Sequence, residues 1–202
     1  EPAPGVVRLG LPEPRVKRTV EGDLGMRHSA AALAEAAGLE ALAAECGLKP
    51  ALCARLLSEL GAQPGRLPAT TEEEMLDRAL ARAAIRIAVR RHCGSVETVY
   101  TPTGAVTVQR GKDLREVRAV IGTGGVLAAS RRPKSILEAA LADPAAPQAL
   151  LPAAPRLLLD AEYLLYACGL LQSVDPLAAL ELALGHLRPL DEERTDEHAV
   201  NA

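Results

Sequence analysis

The tetrapeptide Gly122-Thr-Gly-Gly125 stands where an apolar run, Val117-Arg-Ala-Val-Ile121, gives way to renewed apolar chain at Val126-Leu127. Glycine takes positive φ without steric penalty and carries no Cβ, so such a turn lets backbone come close to a ligand. Amides that open a following helix point at bound oxygens with the positive end of the dipole behind them, which suits a nucleotide. The same four residues are also a common way of turning a tight corner between strand and helix, and on their own they support both readings. A second set of chemically able residues is Arg78, Arg82, Arg86 and Arg90, one every fourth position. On a helix they form a basic stripe opposite the apolar face of Met75, Leu76, Ala79, Leu80, Ala83, Ile87 and Ala88. The stripe is either a solvated face, with an i,i+4 pair from Glu74 to Arg78 worth about 0.3 to 0.5 kcal/mol, or a row of guanidinium planes able to stack on a base and bond phosphate or ribose.

Other reactive types do not assemble. Lys112 and Asp113 read as loop and helix-cap residues, because no nucleophile or second acid lies beside them. Cys46, Cys53, Cys93 and Cys168 include no C-x₂₋₄-C pair, and His92 and Cys93, adjacent on a helix, point about 100° apart. The expectation is therefore reduced core cysteines, no metal site and no catalytic residue in this chain. The balance of 23 Lys plus Arg against 26 Asp plus Glu, net −3, argues against nucleic acid or a polybasic membrane anchor as partner. Without a run of about 20 apolar residues or a signal-peptide pattern, a cytoplasmic location is the default expectation. The 202 residues contain no Phe or Trp and only three Tyr, so the core must be aliphatic and aromatic stacking on bases is nearly unavailable. The opening Glu1-Pro-Ala-Pro-Gly5, without an initiating Met, suggests a part excised from a longer protein.

These residues need a frame. Residues 6–11 and 15–20 read as two short strands joined by Pro12-Glu-Pro14. The acidic glycine loop Glu21-Gly-Asp-Leu-Gly25 precedes helices over 30–37, capped by Ser29 and ended by Gly38, then 39–46 and 50–60. Thr71-Glu-Glu-Glu74 reads as a capping box that opens a helix to about His92. Residues 96–101 and 105–109 read as a hairpin around Pro102-Thr-Gly104. After the glycine turn come a short helix over 133–142, a proline-marked extended connection over 143–155, a helix over 161–171 capped by Asp160, and a helix over 177–187 begun by Asp175-Pro176. The tail 188–202 is polar and acidic and is expected to be disordered. The fold class is mixed α/β: residues 1–28 and 95–187 form a core half, a mixed sheet flanked by helices, and residues 29–94 a mainly helical subdomain.

Four blocks, in order, are distinctive: Thr19-Val-Glu-Gly-Asp-Leu-Gly-Met-Arg27, Val99-Tyr-Thr-Pro-Thr-Gly104, Gly111-Lys-Asp-Leu114 and Val120-Ile-Gly-Thr-Gly-Gly-Val-Leu127. Over roughly residues 15–187 the chain resembles the glutamate mutase accessory family, called GlmL or MutL and unrelated to mismatch repair. More broadly it resembles the second half of the actin-like ATPase fold of sugar kinases and heat-shock chaperones. The resemblance implies an ATP or ADP site with Mg²⁺ in the parent protein, with Gly122, Thr123, Gly124 and Gly125 as the adenosine motif. It implies that Arg82, Arg86 and Arg90 hold the adenosine, and that Gly22, Asp23, Leu24 and Gly25 lie beside the phosphates. Asp23 or Glu21 would then bond ribose, water or metal indirectly, or serve only as loop acids.

The phosphate hairpins of that fold carry Asp-x-Gly-Thr or Asp-x-Gly-Gly, whose carboxylates orient Mg²⁺ and water; neither sequence occurs here. This chain alone is thus not expected to hydrolyse ATP. The implied parent is a chaperone-like reactivating factor whose partners are the subunits of an adenosylcobalamin-dependent mutase, the cobalamin belonging to the partner. A homo-oligomer, a small-metabolite kinase of the same fold and a non-enzymatic interaction module remain open alternatives.

Overall fold

The computed structural model describes residues 5–10, 14 and 16–190. It is mixed α/β and divides into two compact units, Glu1–Val117 with Ile136–Ala154, and Arg118–Ser135 with Pro155–Ala202.

The first unit begins with β1 (Val6–Leu9), a 3₁₀ turn (Gly22–Leu24) and three helices, α1 (Ala30–Ala37), α2 (Leu39–Cys46) and α3 (Pro50–Ala62). The long α4 (Thr71–His92) and the hairpin strands β2 (Ser95–Thr101) and β3 (Gly104–Arg110) follow. Punctuation is local. Gly38 and Gly47 adopt φ of 82° and 69° at helix ends, a backbone region that side chains disfavour. Pro50 occupies the first turn of α3, where its missing N–H leaves no bond unmade. The capping box that opens α4 sits one residue earlier than the sequence suggests. Thr70 accepts from the Glu73 amide at 3.2 Å and the Glu73 carboxylate accepts from Thr70 N at 3.3 Å. Three acids follow in the first turn and Arg90, Arg91 and His92 lie in the last, both complementary to the helix dipole.

The helices pack around Leu33, Leu42, Cys53, Leu56, Leu76 and Leu80, the aliphatic core that a chain without Phe or Trp must build. Beside them β3 is central to a three-stranded mixed sheet, antiparallel to β2 and parallel to β1, with Val6 opposite Thr107. Among the described residues the two strands read over 6–11 and 15–20 do not pair. Residues 17–20 are irregular and β1 pairs with β3 instead, so the longer-range ladder displaces the local hairpin. Ser29 does not cap α1; its hydroxyl donates to the Gly22 carbonyl at 3.0 Å.

The second unit has β4 (Ala119–Gly122), α5 (Gly125–Ala128), β5 (Arg156–Asp160), α7 (Leu165–Leu171), α8 (Pro176–His186) and β6 (Leu187–Pro189); α6 (Pro133–Leu137) starts in its segment and ends, with the 3₁₀ turn Glu138–Ala140, in that of the first unit. The sheet of the second unit is also three-stranded and mixed: β5 is central, parallel to β4 and antiparallel to β6. Leu187, read from sequence as the end of the last helix, and Arg188 and Pro189, read as the start of the tail, instead pair with β5, Leu187 opposite Asp160; residues 191–202 of the expected disordered tail lie outside the described residues. Asp175 caps α8 by accepting from the amides of Leu177 and Ala178 at 3.1 and 3.0 Å, as Asp-Pro predicts.

Candidate functional site

In the second unit β4 and β5 run parallel, with Gly122 opposite Leu159, so the loops that leave them emerge from the same, carboxyl, edge. That edge is where open α/β sheets place ligands. The loop after β4 is the glycine turn. Gly122 is buried and Thr123 exposed, while Gly124 has φ of 112°, in the region that favours glycine. Its carbonyl accepts from the amides of Leu127 and Ala128 at 3.1 and 3.0 Å, which turns the chain into α5. A Cβ built on Gly124 or Gly125 meets no atom within 4 Å. The space over the turn is open, so these glycines are not required by internal packing; Gly124 is required by its conformation.

Asp160, at the end of β5, fixes this turn. The residue is 2% exposed. It accepts from the Thr123 hydroxyl at 2.9 Å and from the amides of Leu164 and Leu165 at 2.8 and 3.1 Å. Burial pushes its carboxyl up, but the two amides, the hydroxyl and nearby His186 together pull it further the other way, below the usual carboxylate range. The sequence marks Asp160 as a helix cap, and it does bond the start of α7. The reach to Thr123 escapes that reading, although an acid ending an apolar strand parallel to one that ends in Gly-Thr-Gly-Gly is a signal that could have found it. In the same loop Tyr163 has φ of 57°, an outlier for a bulky side chain of the kind that clusters at ligand sites.

The other expected residues lie in the first unit. Gly22 and Asp23 form the 3₁₀ turn at the foot of α1. This loop is tied to α4 at two points. Arg27 donates both terminal nitrogens to the Asp77 carboxylate, each at 2.5 Å, and Arg91 bonds Glu21 at 2.6 Å and Asp23 at 2.9 and 2.8 Å. The Arg91 hydrogen bond holds the Asp23 carboxyl below its ordinary value, against a small opposing effect of burial. Fourteen helical positions separate Asp77 from Arg91, about 21 Å at 1.5 Å per residue, so the loop is stretched along α4. Arg91 lies off the every-fourth stripe, which is why the stripe did not reveal it. Asp77→Ala should leave Arg27 unpaired and cost about 2 to 3 kcal/mol. Denaturant unfolding of Asp77→Ala, Arg27→Ala and the double variant checks this, with the double no less stable than the sum of the singles.

Arg82 and Arg86 both bond Glu45 of α2, Arg86 at 2.8 Å. Burial pushes the Glu45 carboxyl up, and Arg86 and Arg82 more than offset it, so the net shift is downward. Arg90 pairs with Asp143. The three arginines line an open recess of about 320 Å³ with Glu138, Ala142, Asp143 and Leu151 opposite. The structure thus puts Arg82, Arg86 and Arg90 together in the first unit, and Gly122, Thr123, Gly124 and Gly125 together in the second.

All four cysteines are free, three of them buried. Burial, then the adjacent Cys53, pushes the Cys46 thiol up to about 12, which removes it as a nucleophile near neutral pH. Among the described residues no His, Cys, Asp and Glu gather in a metal-holding group, and no helix is long and apolar enough to cross a membrane.

A mixed α/β protein whose glycine turn is pinned by a buried aspartate at the carboxyl edge of a parallel strand pair is the class that fold and site define. Residues 1–187 match the family model described as MutL protein. The chain is 42% identical over 187 residues to Protein MutL of Clostridium tetanomorphum, covering 91% of this chain and 40% of that protein. The chain belongs to the MutL family. It spans well under half the length of that curated relative, and no solved structure matches it.

Proposed function

We propose that this chain is the nucleotide-binding part of an ATP-dependent accessory factor that serves an adenosylcobalamin-dependent mutase such as glutamate mutase. The observation that carries the nucleotide half of this reading is the open space over Gly124 and Gly125 beside a Thr123 hydroxyl held by Asp160. Two of the turn's glycines lack a side chain where no described atom of the chain would collide with one. Membership of the MutL family supports the accessory role, and the resemblance to actin-like ATPases supplies its manner of working: bound nucleotide biases a cleft between two states in proportion to its differential affinity for them. That motion would help the mutase exchange damaged cofactor for intact cofactor, with mutase subunits as partners and cobalamin held by the mutase.

The residues present fit a nucleoside or phosphate at the glycine turn better than they fit Mg²⁺. Glu21 and Asp23 are already engaged by Arg91, so the ion would arrive with the phosphates, whose charge it neutralises. Within the first unit Arg82, Arg86 and Arg90 are paired with Glu45 and Asp143, so a ligand that used them would have to displace those carboxylates.

The test separates ligand approach from backbone strain. Gly124→Val changes both, because φ of 112° is unfavourable to any side chain. Gly125→Ala changes only the first: its Cβ meets nothing, and alanine in α5 is expected to help the helix by up to about 1 kcal/mol. In a complete protein of this family, Gly125→Ala should weaken Mg-ATP and Mg-ADP by about tenfold with no fall in melting temperature, read by calorimetric titration and a thermal scan. Unchanged affinity would return the glycine turn to a structural corner.

A further inference from the structure

Tyr163 holds a backbone conformation that suits glycine. It is the one described residue other than glycine with positive φ, and a bulky side chain is strained there. The turn it belongs to accounts for the conformation but not for the ring. Tyr163 N donates to the Asp160 carbonyl at 3.3 Å, and the next two amides fold back onto the Asp160 carboxylate. All of these donors are backbone groups, which glycine or asparagine would offer with less strain. The core does not need the ring either, since Tyr163 is 50% exposed. Tyr166, in the first turn of α7, is 65% exposed, and its ring centroid lies 5.6 Å from that of Tyr163 with the planes 45° apart.

The chain has no Phe or Trp and only three Tyr, so two of its three aromatic rings are gathered at this loop. The loop leaves the same carboxyl edge as the glycine turn, and one atom joins the two: Oδ2 of Asp160 accepts from both the Thr123 hydroxyl and the Leu165 amide. We propose that Tyr163, with Tyr166 at its side, is the aromatic platform on which the base of a nucleotide stacks when the rest of that nucleotide lies over Gly124 and Gly125. The proposal rests on the nucleotide reading of the glycine turn and adds the group that holds the base. Stacking asks only for a π-face and is worth enough to change affinity by tenfold or more per base. A strained ring held beside a ligand loop by the bonds of Asp160 is then a positioning device, with the strain maintained by the surrounding structure.

The test sets two variants of Tyr163 beside Gly125→Ala in a complete family protein that includes this sequence. Tyr163→Phe keeps the ring and the strain, whereas Tyr163→Asn removes the ring and tolerates positive φ better. Each is titrated calorimetrically with Mg-ATP and Mg-ADP and scanned thermally. Tyr163→Asn is expected to weaken both nucleotides by about tenfold without a fall in melting temperature, and Tyr163→Phe to bind as the unsubstituted protein does. A loss with Tyr163→Phe as large as with Tyr163→Asn would assign the effect to the hydroxyl and overturn the platform. A melting temperature that falls in step with affinity in Tyr163→Asn would overturn it as well, by making the residue a structural one. If Tyr163→Asn binds normally while Gly125→Ala binds weakly, the platform fails and the nucleotide site stands; if no nucleotide binds to the unsubstituted protein, both fail.

Discussion

Gly94→Ala is expected to unfold the first unit or to destabilise it by about 3 kcal/mol or more, a large part of the ~5 to 15 kcal/mol that holds a typical domain together. Gly94 follows α4 and precedes β2, where the returning end of β3 crosses it. A Cβ built there would lie 2.2 Å from the Arg110 carbonyl oxygen, 2.7 Å from Gly111 C and 2.9 Å from Lys112 N. All three are backbone atoms, so no rotamer change relieves the collision. The strands cannot simply separate, because the Gly94 amide donates to the Lys112 carbonyl at 2.6 Å and its own carbonyl accepts from Leu150 N at 2.9 Å. Gly169→Ala, in α7, is the matched control: its added Cβ meets nothing within 4 Å, and alanine there should be neutral or stabilising by up to about 1 kcal/mol. Thermal and guanidinium unfolding of the two variants should differ sharply; similar midpoints would mean the crossing relaxes at little cost.

The contrast between these two glycines shows what a sequence exposes and what it hides. Local signals carry far. Thr70 to Glu74, Pro102-Thr-Gly104 and Asp175-Pro176 announce α4, the hairpin and α8, since each works through bonds within a few residues. Partners distant in sequence are different. Nothing around Val6 states that β1 will lie parallel to β3, and a two-proline connection to the next β-like run made a local hairpin the natural expectation. The charged residues divide in the same way. The every-fourth arginines are visible as a stripe, but that Arg82 and Arg86 share Glu45, that Arg27 grips Asp77, and that Arg91 rather than a stripe member holds Asp23 depends on how α2 and the acidic loop pack on α4. The glycine turn was legible as a possible ligand loop from its residue types. Its anchor Asp160 was legible only as a cap, because the bond to Thr123 spans 37 positions and exists only once β4 and β5 are parallel neighbours.

Asp160→Ala should therefore act at two levels. Removing the buried carboxylate leaves the half-buried amides of Leu164 and Leu165, and the hydroxyl of the more exposed Thr123, without their acceptor, a loss on the order of 2 kcal/mol. It also frees Thr123 and with it the glycine turn, so any nucleotide affinity of a complete family member should fall together with stability, whereas Gly125→Ala lowers affinity alone. Asp160→Asn adds a signature in pH. The Asp160 carboxyl titrates below its unfolded value of about 3.9 because the donors around it outweigh its burial. Its contribution to stability is then fully present above that unfolded value and is lost as pH falls through the lower folded one. Asparagine does not ionise and keeps one acceptor oxygen for three donors, so the variant should be weaker at neutral pH and should lack this part of the acid dependence. Glu45, Asp113 and Asp23 are also held below their ordinary values by arginines, and they weaken both proteins alike in acid. The informative quantity is the difference between wild type and Asp160→Asn in denaturant midpoint, measured from pH 7 to pH 2. It should be widest near neutrality and narrow as the pH drops below about 4. A difference that stays constant across that range would mean that Asp160 contributes through shape, and not through the charge that its three donors are arranged to receive.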